Sequence, residues 1–114
     1  MIGGYLASAI LAASGVAGIL MPRRVGEVLQ TDLSPARARA EFRVAYACFA
    51  ALGIEALVAG SAAVFVAVGT LWLAAAAVRL LALAIDRPRA DWTYWVFLVL
   101  ELGLGLAGVA AWMG

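Results

Sequence analysis

Residues 62–85 read AAVFVAVGTLWLAAAAVRLLALAI, an apolar run in which the single charged residue is Arg79. A transmembrane helix needs about 20 consecutive, mostly apolar residues, so this stretch is long enough to cross a bilayer. A soluble domain buries only one face of such a helix, whereas lipid can surround the whole of it. The stretch therefore predicts a membrane-spanning helix.

Three further apolar runs flank this one, at about residues 2–21, 36–59 and 91–113. Together the four runs fill nearly all of the 114 residues, which leaves room for a single four-span domain over 1–114. Hydrophobic residues make up 67% of the chain and charged residues 13%, while a soluble domain is about half apolar and about a quarter charged. The predicted fold class is all-α, a four-helix transmembrane bundle.

The connections carry recognisable helix signals. Pro22 ends the first run, and a loop is expected after it. Ser34 as N-cap, with Pro35 at the first helical position, predicts the start of the second span. Residues 86–89 (DRPR) predict a turn, because a proline disfavours helix at the residue before it. Asp91 is expected to cap the fourth span.

Arginines are confined to one side of the predicted bundle. The two long connections and the start of the second span carry Arg23, Arg24, Arg37, Arg39, Arg87 and Arg89. The other side, which holds both termini and the turn at residues 60 and 61, has none. The positive-inside rule then places both long loops in the cytoplasm and both termini outside. Because the first run is apolar before any arginine, we expect a first span and not a cleaved signal peptide.

Aromatic residues mark the two ends of the fourth run. Trp92, Tyr94 and Trp95 lie near its start, and Trp112 lies near its end. At 1.5 Å per residue, Trp92 and Trp112 lie about 30 Å apart, which is the thickness of the hydrocarbon core. These side chains are interpreted as interfacial anchors.

The composition bounds source and chemistry. All basic residues are arginine, and the richness in Ala, Gly, Val, Leu and Arg indicates a GC-rich coding sequence and hence a bacterial source. The expected location is then the bacterial cytoplasmic (inner) membrane. With no histidine and the single cysteine Cys48, we expect no metal and no cofactor. No Ser-His or Cys-His pair can exist, so an enzyme is not expected. The net charge of +1 gives no reason to expect nucleic-acid binding.

Charged residues inside the spans are the main candidates for a site. They cost roughly 2.5–3.5 kcal/mol each at mid-helix, and they usually face protein or water. Estimated depths place four of them in one layer of the cytoplasmic half, namely Glu41, Arg43, Arg79 and Glu101. Two acids and two bases sum to zero, as a buried network requires.

Helical rotation suggests how this layer is paired. Glu41 and Arg43 lie about 200° apart on a helix, so they cannot both point at one spot. Arg43 and Tyr46 are expected to point inward toward Glu101, and Glu41 is expected to pair with Arg79. Asp86 is expected to join the network at the water boundary.

Three interpretations of this layer stay open. It is an ion-pair network that fixes helix register, or a polar pocket open to the cytoplasm that binds a headgroup or a small polar ligand, or part of a proton or ion pathway. The outer half of the bundle offers almost no polar residues, which disfavours the pathway.

Glu55 lies near the outer end of the second span, where no arginine is available. It either reaches the outer interface or is protonated, or it contacts a basic residue of a partner protein. Cys48 is interpreted as a small packing residue. Small residues spaced four apart in three of the spans serve helix packing within one bundle, and a homo-oligomer stays open.

A set of charged, aromatic, glycine and proline residues in this chain resembles the pattern of a known protein family. Its residues, in chain order, are Glu41, Arg43, Tyr46, Gly53, Arg79, Asp86, Pro88 and Glu101. In their order and spacing the chain resembles, from about Ala36 onward, a family of small four-span bacterial membrane proteins known as domain of unknown function 4345. The resemblance implies the four-helix fold and the charged constellation, and it implies no chemistry.

The leading hypothesis is a non-enzymatic accessory or stabilising subunit of a larger membrane complex, such as a transporter or an envelope-assembly machine. It rests on the small extramembrane mass, the missing catalytic residues and the unpaired Glu55. The partners would then be other integral membrane proteins within the lipid bilayer. The alternative is a lipid or small-molecule binder or carrier that uses the buried polar layer. A membrane enzyme using Glu101 and Tyr46 is a third, less favoured hypothesis.

Overall fold

The computed structural model describes residues 2–29, 31–85 and 92–113, and all regular secondary structure in these ranges is helical. The elements are α1 (Ile2–Leu20), α2 (Pro22–Val28), α3 (Ala36–Ala59), α4 (Ala62–Ile85) and α5 (Trp92–Val109), which a 3₁₀ turn (Ala110–Met113) extends. Helices α1, α3, α4 and the extended α5 are each long and apolar enough to cross a membrane. The predicted all-α fold with four spans is confirmed.

The first connection differs from its prediction. Pro22 was expected to end the first span and open a loop, but it begins the short helix α2. Proline is tolerated in the first helical turn because the N–H it lacks has no intrahelical partner there. The first span itself ends at Leu20.

The predicted start of the second span is also corrected. The N-cap position of α3 is Pro35, with φ −64° and ψ 134°, and no side chain caps the helix. Ser34 instead donates its backbone N–H to Asp32 Oδ1 at 3.0 Å. The side-chain and backbone hydrogen bonds from Ser34 hold the pKa of the exposed Asp32 carboxyl below its ordinary value. The predicted turn at residues 86–89 and the cap at Asp91 lie outside the described residues.

The four long helices run alternately up and down and form two pairs. Helix α1 packs most extensively on α3, and α4 on α5, while α1 also touches α4 and α5 and so joins the pairs. Gly60 turns the chain from α3 into α4 with φ 60°, a left-handed conformation that suits glycine. We call the end of the bundle with Gly60 the turn end, and the end where α3 and α5 begin the loop end.

Glycines allow the paired helices to approach closely. A Cβ atom on Gly53 would lie 2.5 Å from the backbone N of Ala12 in α1. A Cβ atom on Gly69 of α4 would lie 2.5 Å from the backbone N of Val109 in α5. Phe65 is fully buried where α1 meets α4. These contacts hold the backbones close enough for side chains of neighbouring helices to meet in the centre.

The outer surface and the dimensions suit a bilayer. Large apolar side chains such as Leu6, Val44, Val58 and Leu106 are exposed around the bundle. The longest principal extent is 42 Å, which compares with about 40–45 Å for a bilayer including its headgroups.

Candidate functional site

Inside the bundle an ion pair joins Arg79 of α4, which is half-buried, to Glu101 of α5, which is buried. Arg79 Nη2 donates to Glu101 Oε1 at 2.6 Å, and Nε donates to Oε1 at 3.0 Å and to Oε2 at 3.1 Å. The exposed fractions of the two side chains are 21% and 7%. The guanidinium thus engages both carboxylate oxygens, and such two-point contacts between arginine and a carboxylate are strong.

Aromatic rings of α5 surround the guanidinium. The central carbon of Arg79 lies 4.9 Å from the ring centroid of Tyr94 and 5.6 Å from that of Phe97. Both distances fall within the roughly 6 Å at which a cation interacts with an aromatic ring. Tyr94 also donates its hydroxyl to the backbone carbonyl of Arg79 at 2.7 Å.

The sequence of α5 explains why these groups meet one arginine. Tyr94, Phe97 and Glu101 are spaced three and four apart, so they share one face of the helix. Gly105, one turn further on, brings that face against Leu73 of α4: a Cβ atom there would lie 2.5 Å from the Leu73 side chain. One face of α5 therefore supplies the carboxylate, both rings and the close contact with α4.

Beside the ion pair lies a cavity of about 280 Å³, which we call the central cavity. All four long helices contribute to its wall, and Leu29 after α2 contributes as well. Most of the lining is aliphatic or aromatic, and the aromatic members are Tyr46, Phe49, Trp72 and Phe97. The polar members are Ser14, Arg79 and Glu101, with the Tyr46 hydroxyl in addition.

The α3 side of this wall is an aromatic stack. The Tyr46 ring stacks on Phe42 with centroids 4.2 Å apart, and it meets Phe49 edge to face at 5.1 Å. Gly18 of α1 lies directly against the Tyr46 ring, so the ring fits only where α1 carries no side chain. Tyr46 is therefore held against the cavity by its neighbours on both helices.

The structure brings together part of the predicted network. Arg79, Glu101 and Tyr46 line the same cavity. Glu41 was expected to pair with Arg79, but it is exposed and accepts a 3.4 Å hydrogen bond from Arg37, one turn before it on α3. Both belong to the first turns of α3, which project beyond the packed centre.

Arg43 is likewise outside the network. It was expected to point toward Glu101, yet it is exposed and lines a groove at the loop end. Its depth explains this, because Arg43 shares a face of α3 with Tyr46 and Ala50 but lies about one turn nearer the loop end. There it lines the groove with Leu20 and Met21, where α1 finishes. Asp86 lies outside the described residues.

Two predicted residues lie on the outer face of α3. Glu55 is exposed near the turn end, and none of the ion pairs of the described residues involves it. Cys48 is also exposed, so its interpretation as a packing residue is wrong for this bundle.

Several residues of the site were not predicted. Tyr94 was interpreted only as an interfacial anchor, although its spacing from Glu101 places it on the face of that carboxylate. Trp72 was not considered, and its indole Nε1 donates to the carbonyl of Ala7 in α1 at 3.2 Å. Phe49 and Phe97 carry no polar group, and nothing in an apolar run distinguishes rings that line a cavity from rings that face lipid.

The lining of the central cavity could bind a ligand. The cavity presents two opposite charges that neutralise each other, two hydroxyl groups and a largely apolar wall. Within the described ranges, no cluster of three or more His, Cys, Asp or Glu residues could hold a metal ion. Such a wall suits a mostly apolar molecule with one polar group.

The comparison with known proteins agrees with this architecture. A family model described as a domain of unknown function (DUF4345) matches residues 2–112. No curated protein and no solved structure matches the chain. Because the match spans almost its whole length, this chain belongs to the DUF4345 family.

Proposed function

We propose that this protein is a multi-pass bacterial inner-membrane protein that binds a lipid or a small, largely apolar molecule in the central cavity. The observation that carries the proposal is the position of the Arg79–Glu101 pair in the wall of a cavity of about 280 Å³. Ligand sites commonly enclose about 300–1,000 Å³, so the ligand would be small or would enter only in part. The sequence alone favoured the role of an accessory subunit. Because charged groups line a cavity inside the bundle, we now favour the binding role over the subunit role.

The geometry indicates the class of ligand. The guanidinium and the carboxylate already balance each other, so a further full charge in the cavity would be left without a counter-charge. An uncharged polar group, such as a carbonyl or a hydroxyl, can hydrogen-bond with Tyr46, Ser14 or the ion pair. We propose a non-enzymatic role, in which these residues hold a ligand and transform nothing.

Native mass spectrometry tests the proposal directly. The tagged protein would be extracted from its own membrane in a mild detergent and examined for a bound small molecule. We expect a one-to-one adduct that Ser14→Leu removes, because a leucine at this position fills part of the cavity. Ala13→Leu, a change at the neighbouring exposed position, is the matched control and should keep the adduct. Absence of any adduct, or its equal loss in both variants, would reject the proposal.

The orientation is part of the same proposal. The arginines of the loop end favour the cytoplasm for that end, which leaves the turn end outside. In a Cys48→Ala background, Ser61→Cys at the turn end should react with a membrane-impermeant maleimide on intact cells. Thr31→Cys at the loop end should react only after lysis. The opposite labelling pattern would invert the orientation.

The second candidate function is an accessory subunit of a larger membrane complex. The observation in its favour is Glu55, an exposed carboxylate on the lipid-facing side of α3 with no ion pair among the described residues. A charge in that position is costly unless it reaches the interface or meets a partner. The same mild extraction should then co-purify a larger membrane protein, and Glu55→Gln should release it while Glu41→Gln does not. If Glu55→Gln retains the partner, the proposed contact is excluded.

A further inference from the structure

A second concave site lies at the loop end, where α1 finishes and where α2 and α3 begin. This groove, of about 450 Å³, is lined by Leu20, Met21, Pro22, Arg23, Arg24, Arg39 and Arg43. Two of its arginines lie in the first turn of α2, and the other two lie one turn apart on α3, so they share a face of that helix. We call it the arginine groove.

Within the described residues, no acid forms an ion pair with an arginine of the groove. Glu27, three and four residues after Arg24 and Arg23 on α2, is exposed and is in neither ion pair. Glu41 is engaged by Arg37, and Glu101 by Arg79 in the centre of the bundle. Asp32 accepts its hydrogen bond from Ser34.

One of the guanidinium groups lacks an acceptor inside the fold. Arg39 is half-buried, and its Nη1 is shielded from solvent without a hydrogen-bond partner in the part of the chain that the structure describes. A buried donor without a partner is unfavourable, and such groups are rare in folded proteins. An acceptor placed in the groove would satisfy it.

We infer that the arginine groove binds a phosphate group, carried by an anionic phospholipid headgroup or by a soluble phosphorylated compound. Guanidinium groups bind phosphate through paired hydrogen bonds, and several of them around one concavity match its charge. The apolar part of the groove, Leu20 and Met21, continues the surface of α1 at the depth of the headgroups. The positive-inside rule explains why arginines lie at the loop end, but it does not explain why four of them line one groove.

Binding can be measured on the whole chain, purified in a neutral detergent and stripped of lipid. Phosphatidylglycerol, phosphatidylcholine and sodium pyrophosphate would be titrated separately, with thermal unfolding and native mass spectrometry as readouts. We expect phosphatidylglycerol or pyrophosphate to bind, and phosphatidylcholine to bind weakly because its choline offsets the phosphate charge. A response to the lipid alone identifies a headgroup, and a response to pyrophosphate identifies a soluble phosphate compound.

Matched variants distinguish binding in the arginine groove from a non-specific attraction between anions and a positively charged surface. Both R39Q/R43Q and R23Q/R24Q should weaken binding at least about tenfold, since each removes two charged donors. R37Q removes an arginine of the same helix that is engaged by Glu41, and it should bind as the unaltered protein does. Circular dichroism of each variant checks that the helices persist. If neither probe binds, or if R37Q weakens binding as much as R39Q/R43Q, the inference is wrong. It stands independently of the central cavity.

Discussion

At the residue scale, Glu101 depends on Arg79 for its place in the bundle. Its side chain is only 7% exposed, and one guanidinium engages both of its oxygens. Removing one partner of a buried pair leaves an uncompensated charge, whereas removing both leaves none. We expect Glu101→Leu and Arg79→Leu each to lower the free energy of unfolding by about 3 kcal/mol, and the double variant to lose less than either.

A double-mutant cycle, with unfolding in mixed micelles by SDS, measures this coupling. The exposed pair Arg37 and Glu41 is the control, because its two changes should add and each should lie within about 0.5 kcal/mol of zero. Additive losses at Arg79 and Glu101 would mean that the pair contributes no coupling. A double variant that folds but lacks the ligand adduct would assign the pair to binding as well.

Arg79 and Glu101 also show which features of the site could be predicted from the sequence. Charges in apolar runs are conspicuous, so Arg79 and Glu101 could be chosen before the structure. Their pairing could not, because it depends on which helices are neighbours and on how each is rotated. Glu41 and Arg43 were equally conspicuous, yet Glu41 is exposed on α3 and Arg43 lies about one turn nearer the loop end than Tyr46.

At the element scale, glycine sets the separation of α1 and α3. A Cβ atom on Gly53 would lie 2.5 Å from Ala12 N and 2.8 Å from Ala12 Cα, and backbone atoms cannot move aside cheaply. Gly53→Ala should therefore destabilise the bundle by about 1–3 kcal/mol, the usual effect of overpacking. Gly103→Ala on α5 meets nothing within 4 Å, so it should be neutral or stabilising by up to about 1 kcal/mol.

Thermal unfolding of Gly53→Ala and Gly103→Ala tests whether glycine at position 53 is needed for close helix packing or only for helix flexibility. If both lose the same stability, helix flexibility and not the contact with Ala12 explains the glycines. Hydrophobicity could not have located this face: only 17% of the apolar stretch of α3 is buried, and most of its lipid-facing residues are apolar as well. In lipid the inward and outward faces of a helix are both apolar. Small residues, which allow close packing, therefore determine which face turns toward the neighbouring helix.

At the scale of the whole molecule, length and composition predicted four spans, but not that they form two pairs joined by α1. That arrangement has a consequence for folding. The buried charges Arg79 and Glu101 belong to the same pair, α4 and α5, so this hairpin can neutralise them without the other half. Helices that are stable alone in lipid associate afterwards through close packing.

The chain should therefore assemble from two separately expressed halves, residues 1–60 and 61–114, which co-purify. Their contact includes Phe65, which is fully buried, and a Cβ atom on Gly4 would lie 2.5 Å from its Cγ. Gly4→Leu should abolish co-purification, whereas Leu6→Ala on the same helix, at a side chain 53% exposed, should not. If 61–114 fails to insert alone, the ion pair needs the first hairpin for support. If co-purification survives Gly4→Leu, the halves are joined by contacts other than the packing of α1 on α4.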